Sequence, residues 1–323
     1  MSRLSRRHAL ALGSAALVAP AVVRAQDTYP GKTIRIVVPF AAGSATDLTA
    51  RGLGAKLTEL TKQSVVIDNK PGAGGQLGAQ TVATAPADGY TLLMGTNSTH
   101  AANVSLYKKL TYDPAKDFAP IARVVMGVNV LVVNTDVPAK TTAELIAHAK
   151  ANPGKLNYAE ASSSQRLSAE QFNQLAGVKI ERVPYKSSPE AVRDVIAGQV
   201  QVMFPDLPQG LTQIRAGKVR GLGITGATRS KIAPDLPAIA ETVPGYELTY
   251  WLAVFAPAAT PAPIQQKLFD LIAEAMKDEK TGQTMTQGRM EVSVLGLAPF
   301  GEFVKAETAK WAKMIKDAGI EPE

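Results

Sequence analysis

The sequence predicts an α/β fold with mostly parallel sheets flanked by helices, and three observations support this prediction. Segments with strand character alternate with segments of helical spacing along the chain. The strand segments are apolar throughout, which is typical of parallel strands covered by helices on both faces. The chain has 323 residues, of which 46% are hydrophobic and 20% charged, and this is enough for two domains with sizeable cores.

The first half of the chain contains three predicted strands and two predicted helices. The first strand, Thr33–Val38, is rich in β-branched residues and stops at Pro39. The strands are expected at residues 33–38, 64–68 and 90–94, and the helices at 47–61 and 72–85. The first helix has an apolar side made of Leu48, Leu53, Leu57 and Leu60.

The second half repeats this alternation. Strands are expected at residues 130–133, 157–159, 180–184, 200–204, 220–225 and 251–256, and helices at 142–151, 165–176, 263–277 and 300–318. Ser188-Pro189 predicts a further helix, with a serine N-cap and proline at the first helical position. Breaks near residues 122–130 and 225–235 predict two domains, one of residues 26–125 with 228–323 and an inserted one of 126–227.

Residues 1–25 are interpreted as a cleaved secretory signal. Arg3, Arg6 and Arg7 precede an apolar stretch, and a small-residue cleavage site follows at Val23-Arg24-Ala25. The arginine pair is also similar to a twin-arginine export signal. No later stretch reaches 18 apolar residues, and no cysteine is available for lipid attachment. We therefore expect an exported protein that is free in the periplasm.

Composition excludes several classes of function. The net charge is +7, but removal of residues 1–25 leaves 31 basic and 28 acidic residues, which gives little support for nucleic-acid binding. The absence of cysteine excludes disulfides, thiolate metal sites and thiol nucleophiles. The glycine-rich segment 72–78 lacks the following acid of a dinucleotide fingerprint. We expect no metal and no cofactor. His100 lies just beyond a strand end, where the residues of a cleft collect, and is a further candidate for a role in the site.

Polar helix starts that follow strand ends are the main chemical signal. They are Gly43-Ser44-Ala45-Thr46, Ser162-Ser163-Ser164 and Ser187-Ser188. Such starts offer unpaired amides, hydroxyl groups and the positive end of the helix dipole. Because strand ends gather at one edge of a parallel sheet, these starts predict a cleft that binds carboxylates. Ordinary N-capping at each position is the alternative.

A series of short motifs resembles one receptor family. The motifs are Tyr29–Gly43, Asn69–Gly75, Asp88–Leu93, Leu106–Pro114, Pro153–Tyr158, Val183–Lys186, Thr225 with Arg229-Ser230, Pro244–Glu247 and Ala318–Ile320. Their order and spacing are similar to those of the substrate-binding receptors of tripartite tricarboxylate transporters, also called the Bug family. The resemblance covers the chain from Tyr29 to its end.

The resemblance implies a two-domain fold of the type II periplasmic-binding-protein kind, which closes on its ligand like a flytrap. It implies a monomeric receptor that passes a small organic acid to a tripartite-type membrane permease and is not an enzyme. The acids bound by this family include di- and tricarboxylates and aromatic dicarboxylates such as terephthalate. A secreted hydrolase or transferase, and a sensor partner that presents the ligand, are the alternatives.

The resemblance and the polar helix starts together indicate the binding residues. The candidates are Phe40, Ala41, Gly43, Ser44, Ala45, Thr46, Asp47, Thr96, Asn97, Ser98, Ser162, Ser163, Ser164, Arg166 and Asp206. Ser44 stands where the family often has glycine. Arg166 lies in the first turn of a helix, and its planar fork is suited to a bidentate carboxylate. The alternative is that Arg166 faces solvent or pairs with Glu170.

Overall fold

The computed structural model describes residues 29–278, Gly282 and 290–323, so the predicted signal segment lies outside the described residues. Eleven strands are described. They are β1 (Ile34–Val38), β2 (Val65–Asn69), β3 (Thr91–Thr96), β4 (Phe118–Val128), β5 (Val130–Val133), β6 (Asn157–Glu160), β7 (Glu181–Pro184), β8 (Val202–Met203), β9 (Arg220–Ile224), β10 (Thr249–Pro257) and β11 (Glu291–Gly296). They form a six-stranded sheet in the order β11-β4-β10-β3-β1-β2 and a five-stranded sheet in the order β7-β6-β8-β5-β9.

Helices connect the strands of both sheets. Those described are α1 (Ala45–Thr61), α2 (Gln76–Ala83), α3 (Asn103–Leu106), α4 (Thr142–Ala151), α5 (Ser163–Ala176), α6 (Ser188–Ile196), α7 (Leu207–Arg215), α8 (Ala262–Lys277) and α9 (Leu297–Asp317). A π-helical turn covers Ser98–Ala102. None of the helices in the described ranges is long and apolar enough to cross a membrane.

Both faces of the inner strands β1 and β5 are buried, as their mostly apolar sequences predict, whereas the edge strands β2, β7 and β11 are partly exposed. In β1, the side chains of Ile34, Ile36 and Val38 belong to one apolar cluster. Val37, which points to the opposite face, belongs to another cluster. The second sheet shows the same division, since alternate residues of β5 enter different clusters. Helices on both sides therefore cover the apolar residues of these inner strands.

The predicted α/β fold of sheets flanked by helices is confirmed, but both sheets are mixed rather than mostly parallel. β1 pairs in parallel with β2 and β3, and β6 pairs in parallel with β7 and β8. The pairs that involve β10, β11, β5 and β9 are antiparallel. The sequence pattern predicts neither β4 nor β11. The predicted break near residues 122–130 overlaps β4, in which Pro120 and Arg123 interrupt the apolar pattern.

Three local predictions also need correction. Helix α5 begins two residues earlier than expected, because the Ser162 side chain accepts a hydrogen bond from the Gln165 amide. Helix α6 is capped by Ser187, so Ser188 lies inside the helix. Leu60, predicted on the apolar side of α1, is 36% exposed because the helix ends one residue later. Leu53 and Leu57 are the buried leucines of this helix.

Two chain crossings join the sheets, and Thr225 connects them. The chain passes from β4 to β5 at Asn129, and it returns between β9 and β10. The Thr225 hydroxyl accepts a hydrogen bond from the Asn129 amide and donates one to the Leu248 carbonyl, at 2.9 and 2.8 Å. The Thr225 amide also donates a hydrogen bond to the Asn129 carbonyl, and the Thr225 carbonyl accepts one from the Leu248 amide. The domain limits expected from the sequence stay a prediction.

Candidate functional site

A polar cavity lies where the carboxyl ends of strands from both sheets meet. The loops that follow β1, β3, β6, β7 and β8 all reach it, and two residues of β10 complete it. Eleven of the fifteen candidate residues line this polar cavity. They are Phe40, Ala41, Ser44, Ala45, Thr46, Thr96, Asn97, Ser98, Ser162, Ser164 and Asp206.

The three polar helix starts reach the same cavity. Ser44, Ser162 and Ser187 are the N-caps of α1, α5 and α6, and all three line it. Each serine side chain accepts a hydrogen bond from an amide of its own helix. The first-turn amides have no intrahelical acceptor, so they and three helix dipoles favour negative charge in this cavity.

Two buried polar groups in the cavity wall lack a hydrogen-bond partner among the described residues. They are the Asn97 amide nitrogen Nδ2 and the Tyr250 hydroxyl, and both residues are 2% exposed. Leaving such groups unpaired costs about 1–3 kcal/mol each. A carboxylate in the cavity would supply the acceptors that these groups lack.

Tyr250 was not a candidate residue, and its local sequence is that of a core strand. It lies on β10 opposite Gly127 of β4. A Cβ atom at Gly127 would lie 2.3 Å from Cζ of the Tyr250 ring, so the ring occupies space that only glycine leaves open. Burial, and secondarily the charge of Asp206, raises the pKa of Tyr250 well above its ordinary value. The hydroxyl therefore remains a donor at neutral pH.

Asp206 contributes the carboxyl group of the cavity wall. It follows β8 and precedes α7, and the Ala45 amide of α1 donates a hydrogen bond to its side chain. This bond connects elements of the two sheets. Burial raises the pKa of Asp206 to about 6, although the hydrogen bond from Ala45 acts in the opposite direction. A second anion beside this carboxylate is therefore accepted more readily when Asp206 is protonated.

Gly43 and Asp47 do not line the cavity; they hold its first loop in place. The Asp47 carboxylate accepts hydrogen bonds from the Gly43 amide and from Asn69, each at 2.9 Å, and pairs with Arg51 at 3.0 Å. Burial alone would raise the pKa of Asp47, but the hydrogen bonds from Arg51, Gly43 and Asn69 outweigh it and the pKa is lowered. The predicted ligand contact at Asp47 is therefore an internal brace.

Ser163 and Arg166 line a neighbouring cavity rather than the polar one. The Arg166 guanidinium donates to the side chain of Glu323 at 3.0 Å. The alternative partner, Glu170, instead accepts a hydrogen bond from the Tyr158 hydroxyl at 2.6 Å. The tertiary structure thus supplies Arg166 with a carboxylate that is 157 positions away in the sequence.

His100 does not line the polar cavity. Its ring stacks on Phe255 with the ring centres 3.6 Å apart, and burial lowers its pKa to about 3. It is thus a neutral side chain of the core at neutral pH. In the described part of the chain, no three histidine, aspartate or glutamate side chains form a group that could hold a metal ion.

Sequence reasoning missed several residues of the cavity wall. Besides Tyr250 they are Ala161, Gln165, Lys186, Ser187, Ser188 and Leu252. Gln165 organises this side of the cavity, since its side chain accepts from the Ala161 amide and donates to Ser188. Ser187 and Ser188 belong to a predicted polar helix start, but nothing in the local pattern distinguishes Gln165 from a solvent-facing helical residue.

Two mixed sheets, two crossings and a polar cavity built by both sheets define the class of two-lobed α/β solute-binding proteins. A family model described as "Tripartite tricarboxylate transporter family receptor" matches residues 49–320, and the chain belongs to this family. Members of the family are substrate-binding receptors and not enzymes.

Individual relatives agree with this assignment. The chain is 33% identical over 324 residues to Protein BugT of Bordetella pertussis (strain Tohama I). The aligned region covers 99% of this chain and 98% of BugT. It is similar to the structure of R. palustris Rpa4515 with adipate, with a TM-score of 0.89, 37% identity and coverage of 91% and 100% of the two chains. It is also similar to MatC (Rpa3494) from Rhodopseudomonas palustris with bound malate, with a TM-score of 0.81, 32% identity and coverage of 89% and 100%.

Proposed function

We propose that this protein binds a small organic carboxylate in the polar cavity and delivers it to a tripartite-type membrane permease. The observation that carries the proposal is a pair of buried donors in the cavity wall, the Asn97 amide and the Tyr250 hydroxyl, which have no hydrogen-bond partner among the described residues. Three helix starts around the same cavity add amide donors and favourable dipoles. Such a site holds an anion without a dedicated buried cation.

The similar structures support a carboxylate as the ligand. One contains adipate and the other malate, and the chain covers the whole length of both proteins. The proposed ligands are therefore di- and tricarboxylates and aromatic dicarboxylates such as terephthalate. Similarity to structures described as a periplasmic transporter and a periplasmic binding protein supports a periplasmic location, to which the signal of residues 1–25 would direct the chain.

A thermal-shift and calorimetric screen tests the proposal on the chain without residues 1–25. The probes are malate, adipate, citrate and terephthalate, with adipamide as an uncharged control of the same length as adipate. A ligand at 100 times its Kd stabilises the protein by about 2.7 kcal/mol. We expect stabilisation by at least one acid, no turnover of that acid and no effect of adipamide. Equal stabilisation by adipamide, or none by any organic acid, contradicts the proposal.

Delivery to a permease is tested separately in cells. Deletion of the gene should abolish uptake of the identified acid, and the wild-type gene should restore it. Uptake that persists at the wild-type rate after deletion contradicts the transport part of the proposal and leaves the binding part intact.

A further inference from the structure

We propose that Arg166 and Arg182 form a second carboxylate subsite, which the side chain of Glu323 occupies in this structure and from which a dicarboxylate ligand displaces it. This inference rests on the proposed function, because it assigns the second carboxylate of a ligand whose first carboxylate lies in the polar cavity. A subsite of this kind selects acids whose two carboxylates are separated by an apolar spacer.

The two arginines line a cavity of about 640 Å³ that adjoins the polar cavity. This arginine cavity and the polar cavity share six wall residues, so they are parts of one cleft. The shared residues are Phe40, Ala41, Ala161, Ser162, Lys186 and Ser187. Three of the shared residues, Phe40, Ala41 and Ala161, give the junction an apolar part that suits a methylene chain or an aromatic ring, and Ser162, Lys186 and Ser187 form its polar part.

The two arginines differ in how their charges are neutralised. Arg182 is held by the nearly buried Glu160, whose carboxylate lies 2.8 Å from the guanidinium. Arg166 is only 12% exposed at its side chain, and its ion-pair partner in the described chain is Glu323. Its Nε atom is buried and has no hydrogen-bond partner among the described residues. Arg166 therefore needs a carboxylate and has an unused donor for one.

Glu323 supplies that carboxylate in a replaceable form. Its side chain is 45% exposed and lies 3.0 Å from Arg166 but 3.4 and 3.5 Å from Arg182. Its backbone is held independently, since its amide donates to the Leu106 carbonyl and its carbonyl accepts from the Lys108 amide, each at 2.9 Å. The side chain can leave the arginines while the backbone stays in place.

An exchange of carboxylates keeps the charge balance of the arginine cavity. The charged groups that line it are Glu160, Arg166, Arg182, Lys186 and Glu323. When a ligand carboxylate takes the place of the Glu323 carboxylate, Arg166 remains paired and Glu323 moves towards solvent. A ligand with one carboxylate gains nothing from this exchange. The subsite therefore discriminates diacids from monoacids, and Glu323 lowers the affinity for diacids by competing with them.

The test measures binding by calorimetry for the α,ω-diacids from succinate to pimelate and for terephthalate. The diacid that binds most tightly is then compared with the monoacid of the same carbon skeleton, for example adipate with hexanoate. The variants are Arg166→Gln and Glu323→Gln in the chain without residues 1–25. Arg229→Gln and Glu241→Gln make the same charge changes at a surface ion pair and serve as matched controls.

We expect the wild-type protein to prefer the diacid at least tenfold, and Arg166→Gln to remove this preference while the Kd of the monoacid stays within twofold. Glu323→Gln should tighten diacid binding about three- to tenfold and leave monoacid binding unchanged. Equal weakening of diacid and monoacid binding by Arg166→Gln overturns the proposal. Weaker diacid binding in Glu323→Gln also overturns it and makes Glu323 a latch between the lobes. Absence of binding by every acid would instead refute the proposed function itself.

Discussion

Replacement of Tyr250 by phenylalanine separates binding from stability, because it should change the two in opposite directions. The Tyr250 hydroxyl is buried and has no hydrogen-bond partner among the described residues, so the ligand-free protein bears the cost of its desolvation. Phenylalanine keeps the ring, which fits over Gly127, and removes only the hydroxyl. The ligand-free variant should therefore be as stable as the wild type or more stable.

The magnitudes follow from the hydrogen bond that the ligand would complete. An unpaired buried hydroxyl costs about 1–3 kcal/mol, so Tyr250→Phe should raise the free energy of unfolding by up to that amount. A hydrogen bond to a charged acceptor contributes about 1.5–3 kcal/mol, so loss of the hydroxyl should weaken carboxylate binding about 10- to 150-fold.

Urea unfolding without ligand and calorimetry with the identified acid measure the two effects. Tyr29→Phe is the matched control, because the Tyr29 hydroxyl is also buried but donates to the Gly89 carbonyl at 2.6 Å. Tyr29 lies near the amino-terminal end of β3, at the sheet edge opposite the cavity. The control should lose about 0.5–1.5 kcal/mol of stability and no affinity. If Tyr250→Phe binds the acid with wild-type affinity, Tyr250 does not contact the ligand.

Three further substitutions test other parts of the site. Because burial raises the pKa of Asp206 to about 6, the folded protein binds more protons than the unfolded chain between about pH 4 and 6, and stability should fall as pH rises through this window. Melting curves should show this pH dependence in the wild type and not in Asp206→Asn. Carboxylate affinity should fall above pH 6 only in the wild type. Identical pH profiles of the two proteins would refute the raised pKa of Asp206. Asp47→Asn should lower the free energy of unfolding at pH 7 by about 1–3 kcal/mol, because Arg51 loses its charged partner. The difference in stability between wild type and variant should shrink as acid protonates Asp47. Urea titrations at pH 7 and pH 3 measure this difference, and a difference that does not shrink contradicts the prediction. Ser44→Gly should cost only a few tenths of a kcal/mol, because glycine is also accepted as an N-cap, and should weaken the acid by up to about tenfold; calorimetry that shows no change with any acid removes Ser44 from the site.

Local sequence patterns determined most of the secondary structure and the general place of the candidate site. Ile36, Val37 and Val38 of β1 are apolar in succession because both faces of the strand are buried there, and this pattern is readable without a structure. Ser44 and Ser162 stand at helix starts because a hydroxyl there satisfies an amide of the first turn. Capping, strand periodicity and loops at strand ends depend on residues close together in the chain, so they could be predicted from it.

Only the tertiary structure decided which polar groups remain free for a ligand and which are used internally. Asp47 and Tyr250 show the difference. The candidate Asp47 braces its own loop. Tyr250 belongs to a strand with the sequence of a core strand, yet its hydroxyl is an unpaired donor in the cavity wall. Arg166 lines the arginine cavity, and its partner Glu323 comes from a distant segment. Whether a buried polar group is satisfied depends on neighbours brought together by folding, often over 100 positions apart, and local patterns carry no record of such pairings.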